Sequence, residues 1–357
     1  MAKFHILSIA EIRRETADAV SISFEVPNAL KEEFEYIQGQ YLTLKLIING
    51  QELRRSYSIC SSPNENELRI AIKKVKGGKA SNYLNDIAKK DDRMEVMTPM
   101  GNFYSNVSLS SKKHYVLFAG GSGITPMMSI IKTNLETESS CNISLFYGNL
   151  NEDATIFKKE LDHLVATNNS RLKVYYILDI ATSEIHELHK GIMTSEKAKA
   201  LFENYIGINQ DNEYFVCGPG PMMDNVKNAL TALKIETDRI HIEYFTAVIE
   251  STKLETSAPT IGGTMSHIKV ILDGSETEFD LSSDGAVILD AALDAGVDVP
   301  FACKGAVCCT CRAKLIAGKV KMDANYALTD SEVKAGFILT CQSHPLSPIV
   351  VVDYDQQ

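Results

Sequence analysis

Four cysteines near the C-terminal end have types and spacing that can do chemistry. Cys303, Cys308 and Cys311 leave four and then two residues between them, and Cys341 lies 30 positions beyond Cys311. This is the plant-type spacing for a [2Fe–2S] cluster, in which four thiolates hold two irons. A tight loop supplies three thiolates, its backbone N–H groups can hydrogen-bond the sulfurs, and Gly305 lets the backbone approach closely. Four cysteines also suit a zinc ion, although zinc sites usually pair close ligands as CxxC…CxxC; unbonded thiols are a third reading. Cys309 breaks none of the spacing and serves equally as a small residue under the loop.

Two glycine segments are candidate phosphate cradles. Lys76-Gly77-Gly78-Lys79-Ala80-Ser81 runs into a helical stretch over 82–88. Glycines ahead of a helix start turn free N–H groups and a positive dipole end toward an anion. A plain turn with Ser81 as N-cap accounts for the same residues. Gly120-Gly121-Ser122-Gly123-Ile124-Thr125-Pro126 lies between a strand-like run, 114–119, and an apolar helix beginning at Met127. The order strand, glycine loop, helix is again that of a phosphate site. The loop is not GxGxxG, because Pro126 stands where the third glycine would be, and no acidic ribose ligand follows about 20 residues on.

Other candidates carry less by themselves. Arg55-Ser56-Tyr57-Ser58 combines a cation for a pyrophosphate, a ring able to cover a flat cofactor and a hydroxyl; the end of an exposed strand fits too. Cys217-Gly218-Pro219-Gly220-Pro221-Met222 follows a strand-like run over 214–216, and Cys217 alone reads as a buried small residue. His186 and His189 lack a third ligand nearby and read as a solvated face. No Ser/His/Asp triad stands out.

The elements that must position these residues change texture along the chain. Residues 20–26, 41–46 and 68–72 alternate apolar and polar as half-buried strands do, with turns at Asn49-Gly50 and Ser62-Pro63-Asn64, which predicts an antiparallel barrel or sandwich. From about 110 to 245, apolar runs at 114–119, 143–147, 174–178 and 214–216 alternate with helical stretches at 154–165 and 196–205, which predicts a doubly wound parallel sheet. Residues 250–266 are rich in Ser, Thr and Gly and read as a linker. The expected domains are 1–108, 109–246 and 267–357, joined by a linker over 247–266.

The motifs together resemble one family. Cys303 to Cys311, with Asn325-Tyr326-Ala327-Leu328 and Leu339-Thr340-Cys341-Gln342, looks like a plant-type ferredoxin. Arg55-Ser56-Tyr57-Ser58 is similar to the RxYS motif of the ferredoxin–NADP reductase family, 77–81 to its GGxxS segment, 120–126 to its GGxGITP loop and 217–222 to its CGPxxM segment. In order and over almost the whole chain, the modules resemble the reductase subunits of ring-1,2-phenylacetyl-CoA epoxidase. The resemblance implies an antiparallel flavin barrel, a nicotinamide domain with a doubly wound parallel sheet, and an α+β β-grasp ferredoxin. It implies FAD held by Arg55, Tyr57, Ser58, Lys76, Gly77, Gly78 and Ser81, with Ser58 near flavin N5 and Phe245 packed on the ring. It implies NADPH or NADH held by Gly121, Ser122, Gly123, Thr125, Cys217, Gly218, Pro219 and Met222, and a cluster on Cys303, Cys308, Cys311 and Cys341. Ser58, Cys217 and Phe245 are then the catalytic set. Ala306 stands where this family often has a glycine, and it fits if its φ is negative. The implied activity is that of an NAD(P)H oxidoreductase in phenylacetate catabolism, passing electrons through FAD and [2Fe–2S] to an oxygenase or hydroxylase component such as a di-iron epoxidase complex. Reductases of other oxygenases, hydroxylases or desaturases share the architecture. A redox sensor or scaffold without turnover is the reading from another class.

Cations decide the donor. Family members often place Arg after Tyr-Gly-Asn and Ser-Arg at the end of the next strand. Here Leu150 follows Tyr147-Gly148-Asn149, and Asp179 follows Leu178. Asp179 repels a 2′-phosphate and can accept from a ribose hydroxyl, which favours NADH; Lys158, Lys159 and Arg171 are the cations left to oppose that.

Composition narrows the setting. The 357 residues are 45% hydrophobic and 23% charged, enough apolar material for packed cores. A net charge of −10 argues against a nucleic-acid partner. Residues 267–357 hold 7 Lys+Arg and 13 Asp+Glu, net −6, leaving −4 for the rest; an acidic ferredoxin module implies a basic partner surface. No run of about 20 apolar residues exists to span a membrane. The N-terminal apolar run is too short for a secretory signal, which makes the cytoplasm the expected compartment.

Overall fold

Period-two alternation in the first hundred residues becomes an antiparallel sheet. The computed structural model describes residues 3–168, 170–181, 184–209, 211–245 and 263–356. Strands β1 (Phe4–Thr16), β2 (Ala19–Glu25), β3 (Tyr41–Ile48), β4 (Gln51–Ser58) and β5 (Leu68–Lys73), helix α1 (Lys79–Asp86) and strand β6 (Arg93–Met97) come first. The sheet order is β4-β3-β6-β1-β2-β5, and a bridge between Ile59 and Ile70 closes it into a barrel. Alternate residues point inward: Leu7, Ile9, Val20, Ile22, Leu42, Leu44, Ile70 and Val96 form its core, with Leu84 of α1.

The middle of the chain is α/β. It runs β7 (His114–Gly120), α2 (Ile124–Thr137), β8 (Asn142–Asn149), α3 (Lys158–Thr167), β9 (Leu172–Leu178), α4 (Ser195–Tyr205), β10 (Asn212–Cys217), α5 (Gly220–Ala232) and β11 (Ile240–Glu243). All pairings are parallel, in the order β11-β10-β7-β8-β9. Tyr115, Leu117 and Ala119 pack with Met127 and Ile131 of α2 and Leu161 of α3. Phe146 and Tyr214 meet Tyr205 and Phe202 of α4. Helices therefore cover both faces, as a buried parallel sheet requires. Phe4–Glu243 forms one compact unit, and the described residues from Tyr244 onward belong to another.

The second unit contains β12 (Met265–Leu272), β13 (Ser275–Ser282), α6 (Ile288–Asp294), β14 (Arg312–Ala317), β15 (Val320–Met322), α7 (Asp330–Lys334), β16 (Phe337–Leu339), β17 (Ser343–Pro345) and β18 (Ile349–Asp353). Its main sheet is ordered β13-β12-β18-β14-β16, with β12 and β18 parallel and the other pairs antiparallel. Ile288, Leu289 and Ala292 are the buried face of α6. This is the expected β-grasp arrangement. Most of the linker expected over 247–266 lies outside the described residues; Met265 and Ser266 already belong to β12. Among the described residues, no helix is long and apolar enough to cross a membrane.

Candidate active site and candidate cluster site

Strand ends build the first locus. Cys217 ends β10 and Glu243 ends β11, in register with each other. Ser58 ends β4, and its Oγ donates to Glu243 Oε2 at 3.1 Å. Ser58 and Cys217 are buried. Desolvation pushes the Glu243 carboxyl up to about 8, partly offset by the bond from Ser58. Burial, with Glu243 beside it, raises the Cys217 thiol well above its ordinary range, so it stays neutral. Glu243 was not among the sequence candidates. The signal for it was an acid ending a short apolar strand just before Tyr244-Phe245.

The glycine loops meet at the same place. Gly121–Gly123 is a single 3-10 turn, and α2 starts at Ile124, three residues before the expected Met127. Pro126 thus sits in the first turn, where its missing N–H breaks no helical bond. A Cβ on Gly123 would lie 2.1 Å from the Cys217 carbonyl oxygen, and one on Gly218 would lie 2.9 Å from the Gly120 nitrogen. The two loops touch backbone to backbone, which only glycine permits. A Cβ on Gly120 would meet Met222 Sδ at 2.6 Å and Pro219 Cδ at 2.7 Å. Thr125 Oγ1 donates to the Ser122 carbonyl at 3.1 Å, and Tyr147 Oη donates to the Gly121 carbonyl at 3.0 Å. Neither α2 nor α5 has a side-chain cap, so their first N–H groups face the loops as anion donors.

The expected flavin residues fall on β4 and α1. Arg55-Ser56-Tyr57-Ser58 is the last stretch of β4 itself. Arg55 is exposed, donates to the Arg54 carbonyl at 2.7 Å and has no carboxylate partner among the described residues. Tyr57 is half-buried and Lys76 exposed. Helix α1 begins at Lys79 rather than at 82, and its N-cap is Gly78, with no side-chain cap. Ser81 is therefore inside the first turn, and its Oγ accepts from the Val75 N–H at 3.1 Å. Gly77 has φ +73, and a Cβ on Gly78 would lie 2.6 Å from Ser81 Oγ. An uncapped helix start lined by glycine fits a pyrophosphate. Phe245, the third of the expected catalytic residues, is exposed and belongs to the second unit.

Two of the cations weighed against Asp179 are engaged elsewhere. Lys158 donates to Asp162 Oδ2 at 2.8 Å. Arg171 precedes β9 and donates to the carbonyls of Glu138 and Leu135 at 2.7 and 2.9 Å. Asp179 follows the other end of that strand, roughly 26 Å away at the rise of an extended chain. Lys159 is exposed on α3. The Asp179 N–H donates to the Asn149 carbonyl at 3.0 Å, and its carboxyl is raised by desolvation, with Lys197 opposing. Both polar atoms of the buried Asn149 amide lack a protein partner among the described residues.

The four thiols divide two and two. Cys308 Sγ donates to Cys303 Sγ at 3.1 Å, and the Gly305 N–H donates to the same sulfur at 3.3 Å. The Cys308 bond and the N–H groups of Gly305, Val307 and Cys308 hold Cys303 below the usual thiol range. Cys341 is lowered by its bond from Cys311, then by the Ala306 N–H and the Gln342 side chain. No three metal-ligating side chains converge on one point among the described residues. Two pairs with N–H groups aimed at sulfur fit two irons better than one zinc ion. Ala306 departs from expectation: its φ is +63, and that of Lys304 is +51. The loop turns left-handed twice to bring N–H groups onto the sulfurs, and at Ala306 an L side chain bears that strain.

Likeness to known proteins agrees with this geometry. The chain is 39% identical to a subunit of the 1,2-phenylacetyl-CoA epoxidase of Escherichia coli over 99% of both chains. It is 35% identical to the ferredoxin reductase component of 3-ketosteroid-9-alpha-monooxygenase of Mycobacterium tuberculosis, covering 98% of this chain and 96% of the other. The chain belongs to this family of oxygenase reductases. As a member it is an NAD(P)H oxidoreductase with three cofactor domains. Residues 7–104 match the oxidoreductase FAD-binding domain, 117–228 the oxidoreductase NAD-binding domain and 270–346 the 2Fe-2S iron-sulfur cluster binding domain. Phthalate dioxygenase reductase, a solved structure, is similar to this reductase at 25% identity and a TM-score of 0.58, covering 98% of each chain.

Proposed function

We propose that this reductase draws electrons from NADH and delivers them to the oxygenase component of a phenylacetyl-CoA epoxidase. The observation that carries the redox part is the meeting of Ser58, Cys217 and Glu243 beside two glycine loops, in a chain that also bears the four-thiol loop. The full-length likeness to a phenylacetyl-CoA epoxidase component supports the partner. The likeness to the 3-ketosteroid-9-alpha-monooxygenase component keeps a steroid oxygenase as the second reading.

Arg55, Lys76, Gly77, Gly78 and Ser81 would hold the FAD pyrophosphate, and Tyr57 would cover the flavin ring. Gly121, Ser122, Gly123, Thr125, Gly218, Pro219 and Met222 would hold the dinucleotide, and Cys303, Cys308, Cys311 and Cys341 the cluster. The bound groups supply two-electron hydride acceptance at the flavin and one-electron acceptance at the cluster. Ser58 aims its hydroxyl by donating to Glu243. Glu243 keeps a proton on its carboxyl near neutral pH, so the buried locus carries no fixed negative charge. Cys217, a neutral thiol, sets the width of the site without adding charge. Asp179, beside Asn149, would accept from a ribose hydroxyl and reject a 2′-phosphate. The four cysteines outside the ligand set, Cys60, Cys141, Cys217 and Cys309, are free thiols, which suits the reducing cytoplasm.

An anaerobic absorption titration tests this reading. Addition of NADH is expected to bleach flavin bands and an iron–sulfur shoulder at lower concentration than NADPH does. Turnover of cytochrome c separates a reductase from a sensor. Reconstitution with epoxidase and steroid oxygenase components in turn identifies the acceptor. A colourless protein after anaerobic reconstitution would sink the proposal.

A further inference from the structure

The last residues of the ferredoxin module reach back to the cluster loop. Tyr354 follows β18 directly and is buried. Its N–H donates to the Ile271 carbonyl of β12 at 2.9 Å. The next residue, Asp355, accepts from the N–H groups of Asp273 and Gly274, both at 2.8 Å. The tail is thus fixed at both backbone and side chain. The Tyr354 hydroxyl donates to Thr340 Oγ1 at 2.8 Å, and Thr340 Oγ1 donates to the Cys311 carbonyl at 2.9 Å. The Thr340 N–H donates to the same carbonyl at 3.2 Å. Thr340, fully buried, is also the residue next to Cys341.

A threonine hydroxyl has one hydrogen and two lone pairs. With Tyr354 occupying a lone pair, the hydrogen is left to point at the Cys311 carbonyl. Thr340 therefore clasps Cys311 with two bonds while its own backbone carries Cys341. Linked hydrogen bonds polarise one another, and a buried tyrosine hydroxyl would be costly here without this partner. A phenylalanine would fill the same space without setting the hydroxyl.

We propose that Tyr354 is a positioning residue for Cys311 and Cys341: through Thr340 it sets the spacing of the two thiols, and with it the potential and retention of the cluster they would hold. This rests on the assignment of those cysteines as ligands. Hydrogen bonds that lie behind metal ligands orient them and tune the metal in general.

The test uses the holoprotein and the variants Tyr354→Phe, Thr340→Val and Thr340→Ser. Readouts are the EPR spectrum of the reduced cluster, its midpoint potential and its rate of loss to a chelator. Tyr354→Phe is expected to shift the g values and the potential and to speed cluster loss about fivefold, the scale of one buried hydrogen bond. Thr340→Val should do more, because it strips a donor from Cys311 and orphans the tyrosine hydroxyl. Thr340→Ser keeps the relay and should stay near wild type. Flavin bleaching by NADH should be unchanged in all three. Wild-type g values, potential and loss rate in both Tyr354→Phe and Thr340→Val would overturn the inference, whatever their melting temperatures. If Tyr354→Phe fails to fold, Thr340→Val against Thr340→Ser decides by the same readouts. A wild-type protein without any cluster signal would overturn the cluster assignment and this inference together.

Discussion

Ser58 Oγ donates to Glu243 Oε2 over 3.1 Å although 185 positions separate the two residues. The bond joins the end of a barrel strand to the end of a parallel strand, and it places a carboxyl that titrates near 8 beside Cys217. The folded protein holds a proton on Glu243 up to about pH 8, whereas the unfolded chain loses it near the ordinary 4.5. The folded state binds more protons between those values, so stability falls as pH rises through that window. Glu243→Gln keeps the uncharged form and should flatten that slope in melting curves from pH 5 to 9. It should also keep the wild-type rate of flavin reduction at pH 7 and abolish the change in rate near pH 8. A variant with the same pH slope as wild type would place the titrating group elsewhere.

Donor choice is expected to turn on Asp179. Replacing it with Ser removes a carboxylate from the rim beside Asn149, and adding Leu150→Arg supplies a cation for a 2′-phosphate. The double variant should gain about tenfold in kcat/KM for NADPH relative to NADH, equivalent to about 1.4 kcal/mol. Steady-state rates with both donors at low salt measure this. An unchanged ratio would remove Asp179 from the specificity argument.

The left-handed Ala306 sets two energies against each other. A non-glycine residue there costs about 1–2 kcal/mol, while the buried methyl contributes about 0.8 kcal/mol. Ala306→Gly should raise stability by a fraction of a kcal/mol and keep the cluster. Ala306→Val puts a branched side chain at φ +63 in a fully buried loop and should leave the protein without its iron–sulfur absorbance. Visible spectra and thermal melts of the two variants distinguish the cases.

Ligand and non-ligand cysteines are expected to separate cleanly. Serine at Cys303, Cys308, Cys311 or Cys341 should abolish cytochrome c turnover through the cluster while leaving NADH-driven bleaching of the flavin. Serine at Cys309 should retain the cluster. A Cys309→Ser protein that loses its iron would require a different ligand set.

Short-range spacing carried most of the chemistry into view. The interval between Cys303, Cys308 and Cys311 lies within one loop, and the glycine runs at 77–78 and 120–123 sit at helix starts, so the residues that act together are neighbours in the chain. Strand alternation likewise announced the barrel, and apolar runs between helices announced the parallel sheet, because side-chain period is a local property. Helix starts were misplaced by three residues at α1 and α2, since glycine at 78 and 123 took the cap positions. What the tertiary structure alone decided is long-range or conformational. Barrel closure and the register of β10 with β11 made Glu243 a partner of Ser58 and Cys217. The geometry demanded by N–H groups converging on sulfur drove Ala306 to a positive φ. The parallel pairing of β18 with β12 carried Tyr354 to Thr340. None of these is written in spacing, because each depends on where separate strands end once they are packed together.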